Sequence, residues 1–257
     1  MNLTNSTYQP EKQQNGAIVK ILGLSKGFNG NKILNQINLT VNRGENIVVL
    51  GKSGAGKSTL IKCLIGLIPP DEGEIIVLDK NLLELEYDEL NNIRLKMGFL
   101  FQGAALYDSM TVKENLNFPL RHNRKEMKKE QAEHLIMEAL DQVGLKEAVN
   151  KMPAELSGGM TKRIGLARTL ILQPEIMLYD EPTSGLDTAT AKEISELILE
   201  LQKKNNISSL IITHDMNCAK MTADKVVMLK EGSIVAEDSF ESLANSEDEW
   251  IKSFFIK

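Results

Sequence analysis

Apolar positions change their period several times along this chain, and each change predicts an element. Ile18 to Leu22 and Lys32 to Val41, the second with apolar residues at alternate positions, predict strands. Asn46 to Leu50 is almost wholly apolar and predicts a buried strand. A glycine-rich turn follows, then a helical stretch to Ile68, where the rings and missing N–H groups of Pro69 and Pro70 end it. Further on, Leu135, Ile136, Ala139, Leu140 and Val143 recur at the spacing of one helix face. They predict an amphipathic helix over Lys125 to Val143, ending before Gly144.

The second half alternates. Ile176 to Tyr179, Ser209 to Thr213 and Val226 to Leu229 read as strands. Between them Ala189 to Lys203 reads as a helix with Ile194, Leu197, Ile198 and Leu201 on one side. Such alternation specifies an α/β fold with a parallel sheet flanked by helices. The interval of about 103–172 contains helical patterns only and is expected to be a helical insertion.

Composition acts mainly by exclusion. At 257 residues the chain fits one large α/β domain or two small ones. Hydrophobic residues at 42% and charged residues at 25% exclude disordered, collagen-like and disulfide-scaffold classes. The longest apolar stretches, such as Cys63 to Ile68, fall far short of the roughly 18 residues that cross a bilayer, so a membrane role requires a partner. A net charge of −5 disfavours nucleic acid as a partner. Cys63 and Cys218 lie far apart without metal spacing and read as small buried side chains. His122, His134 and the basic run Arg121 to Lys129 read as solvated surface. Residues 1–16 are polar, rich in Asn and Gln, and lack a signal-peptide pattern; they are expected to be a disordered tail on a cytoplasmic chain.

Candidate chemistry begins after the buried strand. Gly51-Lys52-Ser53-Gly54-Ala55-Gly56-Lys57-Ser58-Thr59 fits GxxxxGK[ST] between a strand and a helix, the context this motif requires. Glycines let successive N–H groups point at phosphate oxygens, and the helix N-terminus adds partial positive charge. Lys57 is then expected to bridge the β and γ phosphates of ATP, and Ser58 to offer its hydroxyl to Mg²⁺. A second apolar strand ends in Asp180-Glu181, delivering two carboxylates to the ligand crevice of an α/β sheet. Asp180 is expected to hold Mg²⁺ through water and Glu181 to polarise the attacking water.

Leu156-Ser157-Gly158-Gly159-Met160 precedes those acids, and there the chain resembles the ABC ATPases over about residues 18–238. Leu156 to Gly159 looks like that family's signature motif. Phe28 sits where the family stacks an aromatic on adenine, Gln102 matches the Q-loop glutamine, Ser184-Gly-Leu-Asp187 resembles the D-loop, and His214 matches the switch histidine. The resemblance implies a P-loop NTPase (RecA-like) parallel sheet core, an N-terminal antiparallel β subdomain and an inserted α-helical subdomain. It places the ATPase domain at 17–240 and a short tail at 241–257. It further implies a homodimer in which Ser157, Gly158 and Gly159 of one chain complete the nucleotide site of the other. There His214 contacts the γ-phosphate, Gln102 senses Mg²⁺ and Asp187 borders the nucleotide.

Departures narrow the resemblance. Met160 stands where glutamine is usual and Thr188 where proline is common, and a Gly-Gly-Met ending is similar to the ATPases of Mla/MCE-type phospholipid transporters. The run Phe101 to Leu120 is also similar to that group, with Leu106, Tyr107 and Met110 expected to line a groove for a permease helix. Core packing is an equal alternative for Phe118 and Leu120. The short ending Trp250-Ile-Lys-Ser-Phe-Phe255 resembles the same group, and its packing, on its own core or on a neighbour, stays open. The implied partners are an integral membrane permease and an MCE-domain lipid-binding protein, with this chain peripheral on the cytoplasmic face of the inner membrane. Lipoprotein release, cell-division signalling and small-solute import are the alternatives within the enzyme class. A soluble ABC protein acting on ribosomes or DNA is the alternative outside it.

Overall fold

The structure, a computed structural model, describes residues 16–255. The tail read at 1–16 therefore lies outside the described residues apart from Gly16. In chain order the elements are β1 (Ala17–Phe28), β2 (Asn31–Asn42), β3 (Asn46–Leu50), α1 (Lys57–Leu64), β4 (Glu72–Val77) and β5 (Lys80–Asn81). They continue with α2 (Tyr87–Leu95), β6 (Met97–Leu100), α3 (Val112–Asn123), α4 (Lys129–Gln142), α5 (Gly158–Leu170) and β7 (Ile176–Asp180). The rest are α6 (Thr188–Asn205), β8 (Ser208–Ile212), α7 (Met216–Thr222), β9 (Lys225–Lys230), β10 (Ser233–Asp238), α8 (Phe240–Ala244) and α9 (Glu249–Phe255).

Two sheets form. One is antiparallel, in the order β2-β1-β4-β5; the other runs β10-β9-β3-β8-β7-β6 and is parallel except where β10 turns back on β9. The parallel strands are covered on both faces, which explains their continuous apolar runs. In β3, Ile47 and Val49 join a core with α1 and the antiparallel sheet, while Val48 and Leu50 join a second core with α3, α4, α5 and α6. The helical insertion lies between β6 and β7, as expected from the break in alternation. In α4 the buried face is Ile136, Ala139 and Leu140, in agreement with the predicted stripe.

Local chemistry sets the boundaries. The β1–β2 hairpin turns on Asn29-Gly30 with φ of 51° and 80°, the primed turn that Asn-Gly favours. α1 stops at Leu64, four residues before the expected end, and the prolines are not the cause. Gly66 at φ 69° closes it: Gly66 N donates to the Cys63 carbonyl and Leu67 N to the Lys62 carbonyl, a Schellman cap. α3 opens with a capping box in which Thr111 and Glu114 satisfy each other's backbone N–H.

Both cysteines are buried and free, as expected, and burial pushes each thiol up to about 11. His122 and His134 are exposed. No helix among the described residues is long and apolar enough to cross a membrane. The packing of the C-terminal aromatics, open from sequence, is within the chain. Phe240 meets Phe255 edge-on at 5.1 Å, Trp250 meets Phe254 at 4.8 Å, and Lys230 lies 5.1 Å over the Trp250 ring.

Candidate active site

A cleft of about 780 Å³ opens where β3, β7 and β8 reach their C-terminal ends. Gly51, Lys52, Ser53, Gly54, Gly56, Lys57, Ser58 and Thr59 line one side. Gln102, Asp180, Glu181 and His214 face them, and Phe28 lies at the rim, 44% exposed. Ala55 is buried behind the loop, its carbonyl accepting from Gly232 N at 3.1 Å. Gly56 takes φ 105°, and a Cβ there would lie 2.8 Å from the Ile33 carbonyl oxygen, so the start of α1 requires glycine.

The loop wraps its own lysine. Lys57 Nζ donates to the Gly51 carbonyl at 2.7 Å and the Lys52 carbonyl at 3.2 Å. Burial lowers the pKa of this amine, with Glu181 and Asp180 acting in the opposite direction. A half-desolvated cation aimed into a cleft is suited to polyphosphate.

Opposite it, Glu181 holds a left-handed φ of 50°, its backbone N donating to the Ile212 carbonyl at 2.8 Å. Such a conformation costs of order 1–3 kcal/mol in a non-glycine residue and persists where the surroundings fix it. Here it turns the carboxylate to His214, whose Nδ1 lies 2.8 Å from Glu181 Oε2. Gln102 Nε2 donates to Ser184 Oγ at 3.0 Å, which ties this glutamine to the turn after β7.

Asp180 is half-buried beside Glu181, and burial followed by that neighbouring charge raises its pKa. A raised carboxylate pKa means that the folded state is penalised above it and relieved as pH falls through it. Asp180→Asn should therefore raise the Tm of the nucleotide-free protein at neutral pH. Solvent screening holds the gain to roughly 1–3 °C. The gain should vanish in acid, where the wild-type carboxyl is already neutral; a lower Tm at neutral pH would contradict the assigned repulsion.

Four expected members, Ser157, Gly158, Gly159 and Asp187, lie outside this cleft. Ser157 and Gly158 are exposed and Gly159 buried at the start of α5, where Ser157 Oγ accepts from Met160 N at 3.3 Å as the N-cap. Asp187, expected at the nucleotide, is instead the N-cap of α6. Its carboxylate accepts from Ala189 N and Thr190 N at 3.0 Å and from Thr190 Oγ1 at 2.6 Å, which holds its pKa down. Asp187 is thus outside the lining of this chain's own cleft. Thr190 in turn packs on Gly159, where a Cβ would lie 2.6 Å from Thr190 Cγ2, so Asp187 supports the signature turn.

Sequence reasoning missed several residues. Ile33 and Phe254 both line the cleft. Lys162 is a buried cation on α5, and its signal was available: it occupies the same face as Leu166 and Leu170.

Comparison with known proteins agrees with this arrangement. The family model described as ABC transporter matches residues 34–184, more than half of the 257-residue chain. The probable ribonucleotide transport ATP-binding protein mkl of Mycobacterium tuberculosis is 38% identical over 255 residues, 98% of this chain and 71% of that protein. The chloroplastic protein trigalactosyldiacylglycerol 3 of Arabidopsis thaliana is 36% identical over 253 residues, 92% of this chain and 73% of that protein. A solved dimer of the ATP-binding cassette MJ0796, in a post-hydrolysis state with ADP and phosphate, superposes with a TM-score of 0.79 at 32% identity, covering 86% of this chain and 98% of that one. The chain thus has the fold of a P-loop NTPase cassette, and it belongs to the ABC transporter family as an ATP-binding, ATP-hydrolysing subunit.

Proposed function

We propose that the chain works as a homodimer that drives phospholipid transport through a separate permease, with an MCE-domain protein as the lipid-carrying partner. The exposed aromatic pair beside the cleft carries this reading. Tyr107, in the loop that begins at Gln102, and Phe118, on α3, are each 43% exposed with ring centroids 4.9 Å apart. Of the expected groove, Leu106 packs on the core, while Tyr107 is exposed and Met110 half-buried outside it, so both would be open to a permease helix; of the pair with core packing as the alternative, Leu120 is buried and Phe118 exposed. Two further supports are the Gly-Gly-Met ending of the signature and a relative named for a galactolipid.

In that dimer Lys57 of one protomer and Ser157, Gly158 and Gly159 of the other would enclose each ATP. Phe28 would stack on the adenine, and the loop from Gly51 to Thr59 would hold the phosphates. The hard-oxygen set of Ser58, Asp180 and the Gln102 amide suits Mg²⁺, which favours carboxylate and hydroxyl oxygen over nitrogen or sulfur. The bound ion would neutralise charge on the β and γ phosphates. Glu181 would orient and deprotonate water, with His214 fixing the carboxylate from one side. The dimer would sit peripherally on the cytoplasmic face of the inner membrane.

Tagged purification from detergent-solubilised membranes, followed by mass spectrometry of proteins and lipids, tests the reading. A permease, an MCE-domain protein and phospholipid are expected together. A permease without either of the others would leave the ATPase standing and remove the lipid assignment.

A further inference from the structure

Two cations of α5 have no part in the nucleotide chemistry. Lys162 is 5% exposed and forms no ion pair among the described residues. Its Nζ donates to the Gln102 carbonyl and, at 3.3 Å, to the Glu181 carbonyl. Arg168, further along the same helix, donates to the Ala105 carbonyl, and its guanidinium lies 5.8 Å from the Tyr107 ring centroid. A buried cation satisfied only by carbonyls is costly, and an apolar side chain there would favour stability. The cost is tolerated where geometry is fixed.

What is fixed is the loop after β6. Ala104 and Ala105 hold left-handed φ of 59° and 50°, and Gly165 of α5 lies directly beneath. A Cβ at Gly165 would sit 2.8 Å from Ala104 Cβ and 2.9 Å from Leu100 Cδ1. At the far end, buried Asn115 accepts from Tyr107 N at 2.8 Å and donates to the Met110 carbonyl at 3.0 Å. The loop is thus held at Gln102, Ala105 and Tyr107, twice by α5.

We propose that Lys162 and Arg168 are positioning residues that fasten the signature helix to the Gln102 loop, so that the two move as one body when nucleotide enters the cleft. The Gln102 side chain faces the cleft while its own carbonyl is held by Lys162. A shift of that residue is therefore passed to α5, whose first turn carries Ser157, Gly158 and Gly159. The same body carries Tyr107. Nucleotide in one protomer then sets the place of the turn that completes its partner's site, a consequence that rests on the homodimer reading above.

Hydrogen exchange of wild type, Lys162→Met, Lys162→Arg and Arg168→Met, with and without magnesium and a non-hydrolysable ATP analogue, tests the clamp. In wild type the analogue should slow exchange at 101–105 and 158–164 together. In Lys162→Met the analogue should bind within about twofold of wild type, while its protection of 158–164 and the kcat for ATP each fall by about tenfold, the equivalent of 1.4 kcal/mol. Lys162→Arg, which keeps a donor, should recover most of both. Joint protection and full turnover retained in Lys162→Met and Arg168→Met would overturn the clamp. So would a loss of affinity, Tm and protection in parallel, which marks packing alone. Should Lys162→Met fail to fold, Arg168→Met carries the same readout. Light scattering on the same samples judges the dimer separately: a wild type that stays monomeric but shows joint protection removes the homodimer and keeps the clamp.

Discussion

Glu181→Gln should reduce ATP hydrolysis by roughly 10²–10⁴-fold, the usual contribution of a general base. In free-energy terms that is about 2.7–5.5 kcal/mol of barrier. ATP affinity should stay within about twofold, because glutamine keeps the shape and loses only the proton acceptor. The local geometry makes the substitution informative. Glu181 lies in the cleft opposite the phosphate loop, held by a left-handed backbone and by His214 Nδ1 at 2.8 Å. Its amide replacement can keep that contact to the imidazole while failing to accept a proton from water. Phosphate release at saturating ATP, together with equilibrium binding of a fluorescent nucleotide, separates the two effects. Unchanged turnover would remove Glu181 from the chemistry.

Lys57→Met should instead act on binding. A charge-assisted contact to phosphate is worth about 1.5–3 kcal/mol, so affinity for ATP should fall roughly 10–150-fold. The fold should be unharmed. Lys57 is held by two backbone carbonyls and has a pKa lowered by burial, so replacing a partly desolvated cation by an apolar chain of similar length removes a cost. Tm should therefore hold or rise while nucleotide binding is lost. A parallel fall in Tm would mean that Lys57 serves the loop's folding and not the ligand.

These residues were legible because strict backbone demands accompany them. The phosphate loop needs glycine where Gly56 meets the Ile33 carbonyl, and β3 needs apolar side chains on both faces, so each announces itself in a short window. β6 was not seen, since four residues containing Gly98 show no period. α3 was obscured by Pro119 within it, and its start depends on the reciprocal cap of Thr111 and Glu114. The end of α1 was assigned to Pro69 and Pro70, although Gly66 had already supplied the cap. Asp187 shows a different limit. Its place in a motif implies contact with nucleotide, whereas its second role, capping α6 and holding Thr190, depends on where that helix begins. Phe254 could not have been placed at the cleft from sequence, because its position follows from how α9 packs.

The composite site is the central claim: one chain contributes Lys57 and Glu181, and its partner contributes Ser157, Gly158 and Gly159. Its most direct test mixes two inactive variants, Lys57→Met and Ser157→Arg, and measures ATP turnover. Random pairing into two-fold symmetric dimers makes about half of them mixed, each with one intact site, so the mixture should regain up to about a quarter of wild-type turnover. Activity confined to the background of the separate variants, at every mixing ratio, would contradict a site shared between two chains.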